Sequence, residues 1–128
     1  GEAVLEGELA PAGWKIPDSD DWQTLKEYIK DDASILKSGE WEVLKEGDTI
    51  DSGSNLTGFS AYPVGIWGAG KNISQKQLVC YWTLNETENS IPEQSISFTG
   101  SSAKFSVAAT HVKNGTYYKA FSIRCLKE

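Results

Sequence analysis

The chain of 128 residues contains no methionine, one histidine (His111) and two cysteines (Cys80 and Cys125). Each scarcity removes a class of chemistry. No Cys-x-x-Cys pair and no Cys/His pair at metal-ligand spacing occurs, which argues against a structural zinc site. A lone histidine with no nucleophile paired to it in sequence leaves acid–base catalysis without its usual couple, and His111 reads as a residue on a hairpin face. The net charge is −6, and the basic residues are scattered rather than clustered. Nucleic acid selects for a basic patch, so it is not an expected partner. No apolar run approaches the roughly 18 residues that cross a bilayer as a helix, so no direct membrane span is expected. No signal-peptide pattern is read in the sequence, and the Gly1 start with the lack of methionine suggests a trimmed chain, which leaves open whether a leader was removed.

Cys80 and Cys125 stand 45 positions apart. A disulfide between them would close a long loop and contribute about 4 kcal/mol on the chain-entropy model. Two buried free thiols are the alternative, since cysteine is among the most buried residue types. Both lie in apolar, strand-like contexts that suit either state.

Against these absences stand five Trp, five Tyr and four Phe, enough large rings for an aromatic core in one domain. The segment from Ala10 to Leu25 organises the rest. Pro17 keeps Ile16 extended. Asp18 is placed to cap a helix, with Asp21 three residues on near the positive end of the helix dipole, an imitation of a capping box. Trp22, Leu25 and Ile29 then recur on one helical face, which predicts an amphipathic helix over 19–30. Residues 2–9 alternate weakly, as an edge strand or linker remnant, and the single domain is expected over 10–128. Asp31-Asp32 ends the helix, Ala33–Lys37 predicts a short helical turn, and Trp41, Val43 and Leu44 mark a brief apolar segment.

Glu46–Gly58 is rich in Gly, Asp, Ser, Asn and Thr and reads as a loop. Glycines at 65, 68 and 70 allow bulges or tight bends around Ile66 and Trp67. Leu78–Leu84 is an apolar run of strand length, expected to be central and buried, and Asn85–Glu93 is an acidic loop. Lys104–Val112 and Thr116–Leu126 flank Asn114-Gly115, a pair suited to a type I′ hairpin turn. The fold class is α+β: an early amphipathic helix packed beside an antiparallel sheet with a C-terminal β-hairpin.

Four segments carry a family resemblance. Ala10-Pro-Ala-Gly-Trp-Lys-Ile-Pro-Asp-Ser-Asp-Asp-Trp-Gln-Thr-Leu25 comes first, then Asn55-Leu-Thr-Gly-Phe-Ser-Ala-Tyr-Pro-Val-Gly65. Tyr81-Trp82-Thr-Leu-Asn85 is similar to a Trp-Trp-Ser-Ser segment, and Ser122-Ile-Arg-Cys-Leu-Lys127 to a closing Ser-Val-Arg-Cys-Val-Lys. In this order they resemble the Fibrobacter succinogenes major paralogous domain family. The Gly-Trp-Lys-Ile-Pro, Asp-Trp and Arg-Cys pieces also resemble formylglycine-generating-enzyme-like domains. The resemblance implies a C-type-lectin-like fold on an exported, secreted or lipid-anchored surface protein of Bacteroidetes-type bacteria, with no established general activity. Thr83-Leu84 departs from the family's small polar pair, and the loops after Gly65 and after Asn85 diverge. The copper-binding cysteine pair of formylglycine-generating enzymes has no counterpart here.

Function is therefore sought in loops. Tyr62 and Trp67, in Gly-rich sequence, are candidates to present rings to a sugar or peptide. Asn72, Glu86 and Asn89 add polar side chains. Calcium takes six to eight oxygen ligands. Glu86, Glu88, Asn89 and Glu93 form one loop of that chemistry, and Asp48 with Asp51 another, without the Glu-Pro-Asn or Trp-Asn-Asp signatures of sugar-binding C-type lectins. No cofactor is expected and calcium is the only candidate ion. Trp14, Trp22 and Trp82 are read as core. Asn55, Asn72, Asn85 and Asn114 head N-glycosylation sequons, which here indicate loop placement. The expected function is a non-catalytic binding or adhesion module that recognises a glycan or surface protein through 46–58, 62–71 and 85–93. The alternatives are a structural domain of a larger surface assembly and an enzyme of the formylglycine-generating type.

Overall fold

A computed structural model describes residues 9–84, 94–102, 104–109 and 119–128. The strand expected before Leu9, the acidic loop 85–93, His111 and the Asn114-Gly115 turn fall outside these residues.

Strand β1 (Trp14–Lys15) leads into helix α1 (Ser19–Tyr28). The predicted cap is present in full: the Asp21 amide donates to Asp18 Oδ1 at 2.9 Å, and the Asp18 amide to Asp21 Oδ2 at 3.1 Å. The helix stops earlier than its apolar periodicity suggests. Lys30 and Asp31 turn into the left-handed region, at φ 52° and 60°, while the Asp31 amide bonds back to the Lys26 carbonyl. That pattern satisfies carbonyls of the last turn that have no partner within the helix. Ala33–Leu36 forms the expected short turn, a 3-10 helix capped by Asp32.

Strand β4 (Leu78–Trp82) pairs antiparallel with β5 (Gln94–Thr99), which pairs in turn with β6 (Ser106–Ala109). The other edge of β4 is also occupied. Gly65 donates to the Leu78 carbonyl, Ser122 to that of Cys80, and Trp82 back to that of Ser122. Leu84 continues the run, donating to the Pro17 carbonyl at 2.8 Å. Thr83, wholly buried, donates its hydroxyl to the same carbonyl, so the threonine that departs from the family pattern joins the helix lead-in to the sheet. The apolar run is central, as its composition predicts.

The turn and central part of the expected C-terminal hairpin lie outside the described residues. Among the described residues, β6 pairs with β5, and residues 119–127 pair with Trp67 through Ala120, with β4 through Ser122, and with β1 through β7 (Leu126–Lys127). The Ser122 pairing supplies partners to amides and carbonyls on the outer edge of β4.

The core is a chain of rings. Trp22 of α1 stacks on Tyr81 of β4 at 5.9 Å between centroids and meets Phe59 and Phe105 edge-on. Phe98 joins Tyr81, Phe59 and Phe105. Ile29, Leu36, Trp41, Val79 and Ile96 complete it. Trp82 lies in a second cluster with Ile16, against Phe121. The helical face read from Trp22, Leu25 and Ile29 is the face that meets this core, with Leu25 at its rim.

Lys37 is also interior. Its side chain is fully buried, and Nζ donates to the carbonyls of Asp51, Thr99 and Ser102. It pairs with the Asp51 carboxylate at 3.1 Å and lies over the Trp41 ring. Burial draws the Lys37 ammonium below the ordinary lysine range despite the opposing pull of Asp51. Much of the 46–58 loop is thereby fixed: Asp51 and Ser54 also donate from their amides to Gly100 and Ser34.

Candidate functional site

Residues 61–73 build the surface that carries the predicted aromatics. Strand β2 (Ile66–Gly68) folds onto β3 (Lys71–Ile73) in a hairpin whose turn residues, Ala69 and Gly70, both have positive φ, at 50° and 77°. This is the left-handed geometry of a type I′ turn, reached without an Asn-Gly or Asp-Gly pair. Trp67 pairs with Asn72 across the hairpin. On its other side Trp67 exchanges both backbone hydrogen bonds with Ala120, so its backbone is held from both edges.

Gly65 joins this hairpin to the central sheet. Its φ is +77°, and a Cβ there would collide with Asn72 Oδ1 and the Ile73 carbonyl. Asn72 Nδ2 donates to the Val64 carbonyl at 3.1 Å. The Asn72 amide group thus braces the strand entry, which makes it a positioning residue for its neighbours. The Tyr62 ring lies over Gly39, where an added Cβ would stand 2.8 Å from Tyr62 Cδ1. Tyr62 remains 51% exposed and Trp67 54%, with Val64 also exposed between them in sequence. Two large rings are therefore displayed to solvent on backbone that is tied down.

Other candidates separate from this surface. Glu86 and Asn89 lie outside the described residues, as do Glu88 and Glu93. Asp51 is turned inward onto Lys37 and Asp48 is exposed, so the Asp48/Asp51 loop does not converge as a ligand set. Among the described residues no three His, Cys, Asp or Glu side chains cluster to hold a metal ion. Cys80 and Cys125 are free thiols, the first buried and the second half-buried. Burial pushes the Cys80 thiol up to about 11, with Lys119 pulling slightly the other way, so it stays protonated at neutral pH.

Trp14 is a correction. Read as core, it is 44% exposed, because β1 is a two-residue strand at the rim of the β1–β7 ribbon while Ile16 takes the interior position. Trp14 instead borders a half-open groove of about 380 Å³, lined also by Leu25, Phe59, Arg124 and Leu126, with Trp22 below. No local pattern in the sequence points to it. Its lining comes from three segments distant in sequence, 14–25, 59 and 124–127.

The model of the Fibrobacter succinogenes major domain matches residues 1–127. The chain belongs to that family. No curated protein and no solved structure matches it.

Proposed function

We propose that this member of the Fibrobacter succinogenes major domain family is a non-catalytic recognition module of an exported, cell-surface protein. It binds a glycan or a protein surface through the exposed rings of Tyr62 and Trp67. One observation carries the reading: both rings are more than half exposed on a segment whose backbone is bonded on either side. Exposed rings on fixed backbone suit recognition, since little conformational entropy is lost when a partner covers them. A ring face takes the C–H face of a pyranose or an apolar side chain equally well, while the tyrosine hydroxyl and indole N–H supply polar edges. The C-type-lectin-like architecture is part of this proposal. It rests on the four resembling segments and is in keeping with a helix and small sheets carrying long irregular connections.

The test is a glycan panel probed with and without calcium, comparing wild type with Trp67→Ala and Tyr62→Ala. Saturable binding by wild type, lost in either variant, supports the reading, and a calcium requirement would bring the 85–93 loop into the site. A blank panel together with no protein partner captured in a Trp67-dependent way would leave a spacer role within a larger surface assembly.

A further inference from the structure

The groove beside Trp14 is chemically unlike the Tyr62/Trp67 surface. Its walls are Trp14, Pro17, Leu25, Phe59 and Leu126, an apolar lining of about 380 Å³. That volume sits at the small end of the roughly 300–1,000 Å³ of small-molecule pockets.

Its charges are few. Asp21 is neutralised by Lys15, whose Nζ lies 2.7 Å from Oδ2. Lys127 stands at the exposed end. Arg124 is half-buried, with its guanidinium over the Phe59 ring at 4.4 Å from the centroid. Among the described residues it has no hydrogen-bond or ion-pair partner. A guanidinium stacked through its face still has its in-plane N–H donors to offer, in the fork geometry that fits a carboxylate. Trp22, only 3% exposed, lines the same groove, with its indole Nε1 buried and unpartnered. The groove thus has an uncommitted guanidinium, a net positive lining and apolar walls.

We propose that this groove is a binding site for a small carboxylate carried on a flat, aromatic body. The ring system lies against Trp14, Leu25 and Leu126, and the carboxylate is taken by Arg124. This site is independent of the recognition surface at Tyr62 and Trp67.

The probe is 2-naphthoate, with 2-naphthamide as its neutral match, titrated calorimetrically into the whole chain. Indole N–H resonances report the location by NMR. We expect saturable one-to-one binding of the naphthoate, at least tenfold weaker binding of the amide, and shifts at Trp14 and Trp22 but not Trp67. Arg124→Gln should weaken naphthoate binding at least tenfold and Arg124→Lys less. Trp67→Ala should leave it unchanged. Absent or non-saturable binding to folded wild type overturns the proposal. So does equal affinity for acid and amide, or shifts confined to Trp67. Should Arg124→Gln fail to fold, the acid–amide comparison and the indole shifts on wild type decide alone.

Discussion

Lys37 Nζ lies 3.1 Å from Asp51 Oδ2, the ammonium sealed inside the protein and the carboxylate partly open to water. Three backbone carbonyls surround the same ammonium. Lys37→Met removes the only charge those four acceptors share and should cost about 3–5 kcal/mol, the range for breaking a buried pair from one side. Asp51→Asn should cost less, because Lys37 keeps its carbonyls. Denaturant unfolding of the three proteins measures both, and equal losses would show that the carboxylate dominates.

Gly65→Ala should destabilise the protein by at least about 2 kcal/mol. It places a side chain at φ +77° and drives a Cβ into Asn72 and Ile73. Gly70→Ala shares the positive φ but has open space around it, so its cost should stay near about 1 kcal/mol. Thermal unfolding of the pair separates collision from backbone strain.

Trp67→Ala should leave the protein folded at a cost of about 1 kcal/mol, since about half of the residue is exposed. Partner binding should weaken at least tenfold, about 1.4 kcal/mol. A stable variant with unaltered binding would remove Trp67 from the recognition surface.

Acid should loosen the start of the chain. Burial pushes the Asp21 carboxyl up, but hydrogen bonds from Lys15 and from the Asp18 amide outweigh it and hold Asp21 below its ordinary value. A carboxylate with a depressed folded value contributes stability that is whole above its unfolded value. That stability is lost as pH falls through the folded one. The loss therefore begins below about pH 4. Melting temperatures from about pH 6 to about pH 2.5 should fall more gently for Lys15→Met than for wild type.

Thiol labelling tests the cysteines. Cys125 should react first, and Cys80, buried and pushed up to about 11, only as the protein opens. Titration in denaturant without reductant should find both thiols.

Helix α1 was legible in the sequence because its signals are local: Pro17, the Asp18/Asp21 cap and the Trp22–Ile29 face all act within one turn or two. The run at Leu78–Trp82 was legible for the same reason, since burial on both faces writes a continuous apolar string. The β2–β3 hairpin was not, as its turn uses Ala69 where Asn or Asp would have announced it. The course of residues 119–127 was hidden too. Their partners, Trp67, Tyr81 and Trp14, lie on three different strands more than 40 positions away, pairings no local pattern records. Lys37 misleads any reading by residue type, since its long polar side chain is interior by virtue of three carbonyls on two distant segments, 51 and 99–102. At the candidate surface, ring-bearing residues among glycines were visible, whereas the groove needed the fold to assemble it.

The register of the β1–β7 ribbon sets Trp14 opposite Lys127, with the Glu128 amide bonded to the Gly13 carbonyl. Chain enters and leaves at the same end of this ribbon. Tension applied between these two points would load the bonds in succession rather than together, so the ribbon opens like a zip. The aromatic core behind it would feel the pull only afterwards. Single-molecule pulling between these two points should show a small first step before the main rupture.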